Sequence, residues 1–415
     1  MFRKFLPILI LNFLVFGSLC AQQKIRLKGV VTDAQTGEGV AFAHVGSCDK
    51  PIGAVAGDDG KFDLSLSVLF RNDSLCVSSI GYKTVKFPIN ELLKEKDDLV
   101  LALSPNVTEL DELVIHGSKI SGRRVIRDAV KAIKKNFPKK PFVEKGYYRD
   151  YLKKDGEYVS LLEGAFIVED PGFKKRIKKG KVYVEQIRYS EEYLKNYEKY
   201  VKDVENDSLR HLVYGISPFV DGNELASLLG NNPVRNHKSS LAFIGVLDSM
   251  WRKKSLEFEI DHYTYLGEDE VYVVKVSPTR AYQHVDVKGE FYIRVKDFAF
   301  VRMDFEFYVH KVFDKLRKWY EVSLEYQDVD GKMYLKYLSF INYFKLIVDN
   351  QYAELQQYRE FFVNDVIPEG MYVPGSFSKE GLLDPEKPLF DQGFRNDPDF
   401  WKKYNNSILE TPLVE

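Results

Sequence analysis

Hydrophobic and polar positions alternate along most of this chain with the two-residue period of a pleated strand. Between Ile25 and Ser104 the alternating runs are short and turn residues separate them: IRLKGVVTD, TGEGVAFAHVGSC, GAVAGDDGKFDLSLS, SLCVSSIGYKTVKFPI and LVLALS. Ala41, Ala43 and Val45 share one face, as do Phe62, Leu64 and Leu66, so each strand is expected to turn one side into a core. Strands and turns so closely spaced predict a β-sandwich of the seven-stranded type. Asp59-Gly60 tolerates positive φ and reads as a hairpin turn between Ala54–Gly57 and Lys61–Leu66. Asp58 adds a second carboxylate there, but GDDGKFD offers too few oxygen ligands at regular spacing for a tight calcium loop, which leaves turn chemistry as the reading.

One stretch has a different period. Between Lys119 and Lys140, Ile126, Ala129, Val130, Ile133 and Phe137 recur at helical spacing, and Pro138 and Pro141 end the run. The opposite face of this amphipathic helix is basic, with Arg123, Arg124, Arg127, Lys131, Lys134, Lys135, Lys139 and Lys140. A second basic cluster, with Lys174 and Lys175, follows in GFKKRIKKGK. These cations are the candidate surface for anionic lipid, lipopolysaccharide or an acidic partner protein; a solvated helix face followed by a charged loop would give the same pattern.

From Lys145 onward the alternation returns. Helical or irregular sequence occupies residues 190–238, and runs at 256–266, 271–277, 287–295, 298–307, 319–326, 334–344 and 353–363 follow. Short turns such as Gly267-Glu268-Asp269 and Asp330-Gly331 join them, which predicts a meander. The expected fold is mainly β: the sandwich, the amphipathic helix, then a larger antiparallel meander or half-barrel (α+β) domain. Phe400, Trp401 and Tyr404 after Asp397-Pro398 predict a short helix that packs back onto that sheet.

The start of the chain changes the setting. Arg3 and Lys4 precede an apolar run from Phe5 to Phe16, and small residues end at Ala21. A spanning helix needs roughly 20 apolar residues; this run is shorter and interrupted by Pro7 and Asn12, so it reads as a cleavable secretory signal. Leu19 stands where a lipoprotein signal centred on Cys20 would need a small residue. Export places the mature chain in the periplasm or at the outer membrane of a Gram-negative bacterium, with no transmembrane helix expected in it. Cys48 and Cys76 then face an oxidising compartment, where they either bridge across the sandwich's sheets or remain two buried thiols. The expected boundaries are 1–21 signal peptide, 22–104 sandwich, 105–118 linker, 119–367 helix plus antiparallel β domain, and 368–415 tail.

Composition sharpens this only a little. With 415 residues and 45% hydrophobic positions the chain can build two or three cores, and a net charge of -1 lacks the basic excess of a nucleic-acid binder. The 26 Tyr and 29 Phe against 5 Met suit half-buried strands.

Gly29-Val30-Val31-Thr32-Asp33, Gly37-Glu38-Gly39-Val40, Ala43-His44-Val45, Asp59-Gly60-Lys61-Phe62 and Gly81-Tyr82 together resemble the carboxypeptidase regulatory-like domain, a transthyretin-like sandwich. The following ELDELVIHG, Glu109 to Gly117, is similar to the segment that joins such a domain to the plug of TonB-dependent receptors. About 300 residues remain, too few for a receptor barrel of about 22 strands with long loops. VKGEFYIRVKDFAFVRMDFEF resembles half-barrel envelope proteins that carry or sort lipoproteins, although the same alternation describes a filled core. The layout as a whole is similar to exported bacterial proteins known by their regulatory-like domain, a resemblance that implies architecture rather than activity.

The seven histidines, scattered, form no HExxH, HxxE or HxH spacing, and GxSxG, GxxxxGK[ST] and GxGxxG opening a helix are absent. No catalytic residue, cofactor or metal is therefore expected, and zinc carboxypeptidase activity is not. The leading expectation is a non-enzymatic envelope protein that binds or scaffolds an envelope protein or outer-membrane component, with peripheral membrane contact as one form of this. Two alternatives make structural demands. A carrier of an apolar ligand needs a cavity lined along Val287–Phe307, and a hydrolase needs two carboxylates facing each other in a cleft.

Overall fold

The computed structural model describes residues 24–48, 50, 52–106, 120–174, 180–195, 223–237, 256–279, 285–310, 316–348, 351–377, 379–392, 396–401 and 404. The expected signal peptide, most of the linker and Lys175 lie outside the described residues. Two compact units result: residues up to Asn106 with a C-terminal stretch from Asp397, and the chain between them.

Among the described residues of the first unit, seven strands form two sheets. One has the order β4-β1-β7, with β1 at Lys24–Asp33, β4 at Lys61–Ser67 and β7 at Leu99–Leu103. The other has the order β3-β2-β5-β6, with β2 at His44–Ser47, β3 at Gly53–Val55, β5 at Ser74–Ser78 and β6 at Val85–Pro88. The expected alternation fills the space between them. Val45, Leu75 and Val77 from one sheet and Val31, Phe62 and Leu64 from the other are buried in a single cluster. The short helix Pro398–Trp401, with Phe400 and Tyr404 stacked and Trp401 edge-on to both, groups with this unit and not with the larger sheet.

Two sequence expectations are corrected here. Asp59-Gly60 does form a turn, with Gly60 at φ +79° and Gly57 N–H bonded to Lys61 O at 2.8 Å. The strands it joins nevertheless belong to different sheets, because β3 pairs with β2 and β4 pairs with β1. The turn carries the chain across the sandwich and closes no hairpin. Cys48 and Cys76 are disulfide-bonded within one sheet rather than across two: Gly46 of β2 lies opposite Cys76 of β5, so Cys48 just past the end of β2 is a near neighbour.

Among the described residues of the second unit, ten strands form one antiparallel sheet that does not close into a barrel. They are β8 (Phe142–Lys154), β9 (Glu157–Asp170), β10 (Lys181–Tyr189), β11 (Leu256–Leu266), β12 (Asp269–Pro278), β13 (Val285–Arg294), β14 (Phe300–His310), β15 (Leu316–Val329), β16 (Lys332–Val348) and β17 (Gln351–Ile367). The run from β11 to β17 is the expected meander. Its last strand then pairs with β8, giving the order β10-β9-β8-β17-β16-β15-β14-β13-β12-β11.

The register makes this sheet two-faced. Ile260, Val274, Phe291, Met303, Leu324, Leu338, Phe361, Tyr148, Gly164 and Ile187 lie opposite one another in a single row across all ten strands. One residue further along, the facing row is Glu259, Lys275, Glu290, Asp304, Ser323, Ser339, Glu360, Arg149, Glu163 and Arg188. Because side chains alternate across a strand, the two rows occupy opposite faces.

The expected amphipathic helix, α1 (Gly122–Asn136), buries Val125, Ile126, Ala129 and Ile133, and it contacts β11, β12 and β16. Ser121 caps its start by accepting from Arg124 N–H at 3.3 Å, and Phe137, extended before Pro138, stops it. A second helix, α2 (Glu224–Gly230), follows the cap Asn223. Residues 381–383 cover the β10 edge through Val184 N–H to Gly381 O and Leu383 N–H to Val182 O, both 2.8 Å.

Candidate functional site

The basic residues of α1 divide into two sets. Arg123 donates to Leu256 O and lies over the Phe258 ring at 5.1 Å, so its cation is tied to the start of β11. Arg124, Arg127 and Lys131 gather around Asp128, at 3.7, 3.0 and 3.6 Å. The hydrogen bond from Arg127 holds the Asp128 carboxyl below its ordinary value. These three cations share one counter-charge. Lys134 and Lys135 in the last turn are exposed, where the partial negative end of the helix favours them. Lys139, Lys140 and Lys174 are exposed as well.

The fold brings Lys174, the first lysine of the second basic cluster, to the end of the first. Phe173 N–H bonds to Pro138 O at 2.8 Å, which sets Lys174 beside Lys139 and Lys140. Beneath them Phe173 packs on Phe137 at 5.0 Å and on Phe142 at 6.4 Å, and Arg235 lies over Phe173 at 4.4 Å. Arg235 is itself fixed by Asp170 and by Gly172 O. Lysines that sequence separates by more than thirty positions are thus carried on a packed aromatic base, with Lys135 O also held by Lys332 Nζ at 2.5 Å.

A third segment meets the same place, and sequence reasoning missed it. Glu369 Oε2 accepts from Lys139 N–H and Lys140 N–H, both at 2.7 Å, and Glu369 N–H bonds to Tyr334 Oη at 2.9 Å. The turn that follows exposes Met371 and Val373, each 71% exposed, on either side of buried Tyr372. Tyr372 anchors the turn by accepting from Gly375 N–H at 3.2 Å and packing on Phe377 at 5.8 Å. EGMYVPG carries the signal that was available, two large apolar residues flanking an aromatic between turn glycines.

Two other places bear on the alternatives. On the apolar side of the sheet, Asp150 accepts from Gln357 Nε2 at 2.6 Å and from Arg359 Nε at 3.0 Å. Glu224 of α2 closes over this pair and accepts from Leu389 N–H at 3.1 Å. Burial raises the Glu224 carboxyl to about 7, against the lowering effect of Arg359. Asp150 and Glu224 are each 1% exposed, so this acid pair lies in a core and not in the cleft a hydrolase needs. Along Val287–Phe307 the alternating side chains pack on one another and on the next strand, with Phe291 on Phe305 at 4.9 Å and Phe307 on Tyr320 at 4.4 Å, where a carrier needs a cavity. Among the described residues no group of three His, Cys, Asp or Glu is placed to hold a metal, and no helix is long and apolar enough to cross a membrane.

The sandwich geometry and the glycine and aspartate turns of the first unit agree with the comparison by family. Residues 27–115 match the CarboxypepD_reg-like domain. Likenesses to solved structures are distant. The chain is similar to a DUF1329 family protein from Desulfovibrio piger at 8% identity and TM-score 0.26, over 63% of this chain and 96% of that one. It is also similar to the MucA/MucB complex of Pseudomonas aeruginosa at 9% identity and TM-score 0.18, over 60% and 99%, and to lipovitellin at 7% and 0.21, over 60% and 28%. At these scores the likenesses carry no argument. No curated protein matches the chain.

Proposed function

We propose that this is a non-enzymatic, exported envelope protein that binds or scaffolds a partner at the periplasm or outer membrane, and that its second unit docks to an anionic envelope component. The observation that carries the reading is the convergence of the basic end of α1 with Lys174 on one surface, joined by the Phe173 to Pro138 and Glu369 to Lys139 and Lys140 hydrogen bonds. The sequence supports export through its signal-like start, and supports a binding role by offering no recognisable catalytic motif. In this reading the regulatory-like domain is an accessory to the second unit's docking.

The test replaces Lys131, Lys134, Lys135 and Lys139 with Gln in the tagged mature protein and measures retention on envelope fractions of its host as salt is raised. Wild-type retention should fall with ionic strength, as exposed charge attraction is screened, and the variant should not be retained. Equal retention of both proteins at every salt concentration would overturn the reading.

A further inference from the structure

The turn that carries Met371 and Val373 gives the anionic component a physical form. We infer that this turn and the surrounding lysines form a peripheral membrane-docking site, in which the two apolar side chains enter the interface of an anionic lipid bilayer while the lysines meet its headgroups. The inference deepens the proposed function and rests on it.

Three observations support it together. Met371 and Val373 are 71% exposed although the turn itself is firmly anchored by Glu369 and Tyr372, so their exposure is a property of a fixed structure. Exposed apolar side chains gain by leaving water, and two of them are too few for a protein interface core yet enough to seat a turn among lipid headgroups. The charge around the turn is complementary to such a surface. Lys139 and Lys140 are bonded to the residue two positions before Met371, and Lys174 adjoins them. The nearest acid, Glu369, is occupied by two backbone N–H groups, and Glu169 on the other side is paired with Lys181 at 3.4 Å. Weak apolar insertion and polybasic attraction are each insufficient for stable binding and become sufficient in combination. An acidic protein partner would use the lysines but has no need of apolar side chains standing out from a turn.

The experiment measures co-sedimentation of the mature protein with vesicles of phosphatidylethanolamine and phosphatidylglycerol, and with vesicles of phosphatidylcholine alone. Binding to the anionic vesicles alone is expected, weakened about fivefold for each of Lys134, Lys135, Lys139 and Lys140 replaced by Gln. Met371→Ser with Val373→Ser should weaken it by at least about tenfold and leave envelope retention at low salt partly in place. Met371→Trp supplies a readout independent of affinity: its emission should shift to the blue when anionic vesicles are added. Absence of that shift, or unchanged vesicle binding by the double Ser variant, would overturn the insertion while leaving the basic docking surface standing. Lysine-dependent retention on host envelopes with no binding to anionic vesicles would overturn the lipid assignment in favour of an acidic protein partner. Loss of both lysine effects would remove the proposed function itself.

Discussion

Gly60 and Gly331 both occupy the left-handed region, at φ +79° and +74°, and both follow an Asp in a tight turn, yet their surroundings differ. A Cβ on Gly331 would meet nothing within 4 Å, whereas one on Gly60 would stand 2.5 Å from Val31 O. Gly331→Ala should therefore cost only the left-handed penalty of an L-residue, roughly 1–2 kcal/mol. Gly60→Ala adds a backbone collision in the sandwich and should cost clearly more. Urea unfolding of the two variants checks this, and equal losses would show that the Val31 contact relaxes freely. Both turns are legible in sequence because Asp-Gly chemistry is local. What each turn joins is not: Asp330-Gly331 closes a hairpin between β15 and β16, while Asp59-Gly60 passes between sheets. The same limit applies to Cys48 and Cys76, whose partnership depends on the pairing of β2 with β5.

Elements were legible wherever periodicity had one dominant partner. The apolar stripe of α1 and the alternation of β11 to β17 each reflect one buried face, and their positions follow the sequence closely. The pairing of β17 with β8 was not legible, since Arg359 and Asp150 meet across 209 positions. Nor was the place of α2, a seven-residue helix whose Glu224 reads as an ordinary surface acid. In the structure that acid is buried beside Asp150 and Arg359, and its carboxyl is raised from 4.5 to about 7. Below about pH 4.5 folded and unfolded chains both hold the proton. Between 4.5 and 7 the unfolded chain releases it and the folded chain keeps it, so this group's contribution to stability is lost as pH rises. Glu224→Gln keeps an acceptor for Leu389 N–H and cannot ionise. Its stability relative to wild type should rise across that window by roughly 3 kcal/mol and then level off. Denaturant midpoints of both proteins from pH 4 to 8 measure the difference, from which the buried acids common to both proteins, Glu144 among them, cancel; a flat difference would mean that Glu224 ionises without penalty in the fold.

At the scale of the whole molecule the chain holds two cores of different kinds. The first unit is a small sandwich with a disulfide; the second is a large two-faced sheet with α1 on its apolar side. A bridge between Cys48 and Cys76 spans 28 positions, and it limits the freedom of the unfolded first unit alone. Loop-closure entropy for that separation stabilises by roughly 3–4 kcal/mol. For a domain of this unit's size that corresponds to a fall in its unfolding temperature of roughly 10 °C or more on reduction. Calorimetry of the mature protein should therefore show two transitions, of which dithiothreitol lowers one and leaves the other in place. Cys48→Ser with Cys76→Ser should reproduce the lowered transition without reductant. If reductant moved both transitions together, the two units would be unfolding as one cooperative body, and the sandwich could not act as the separable accessory that the functional reading makes of it.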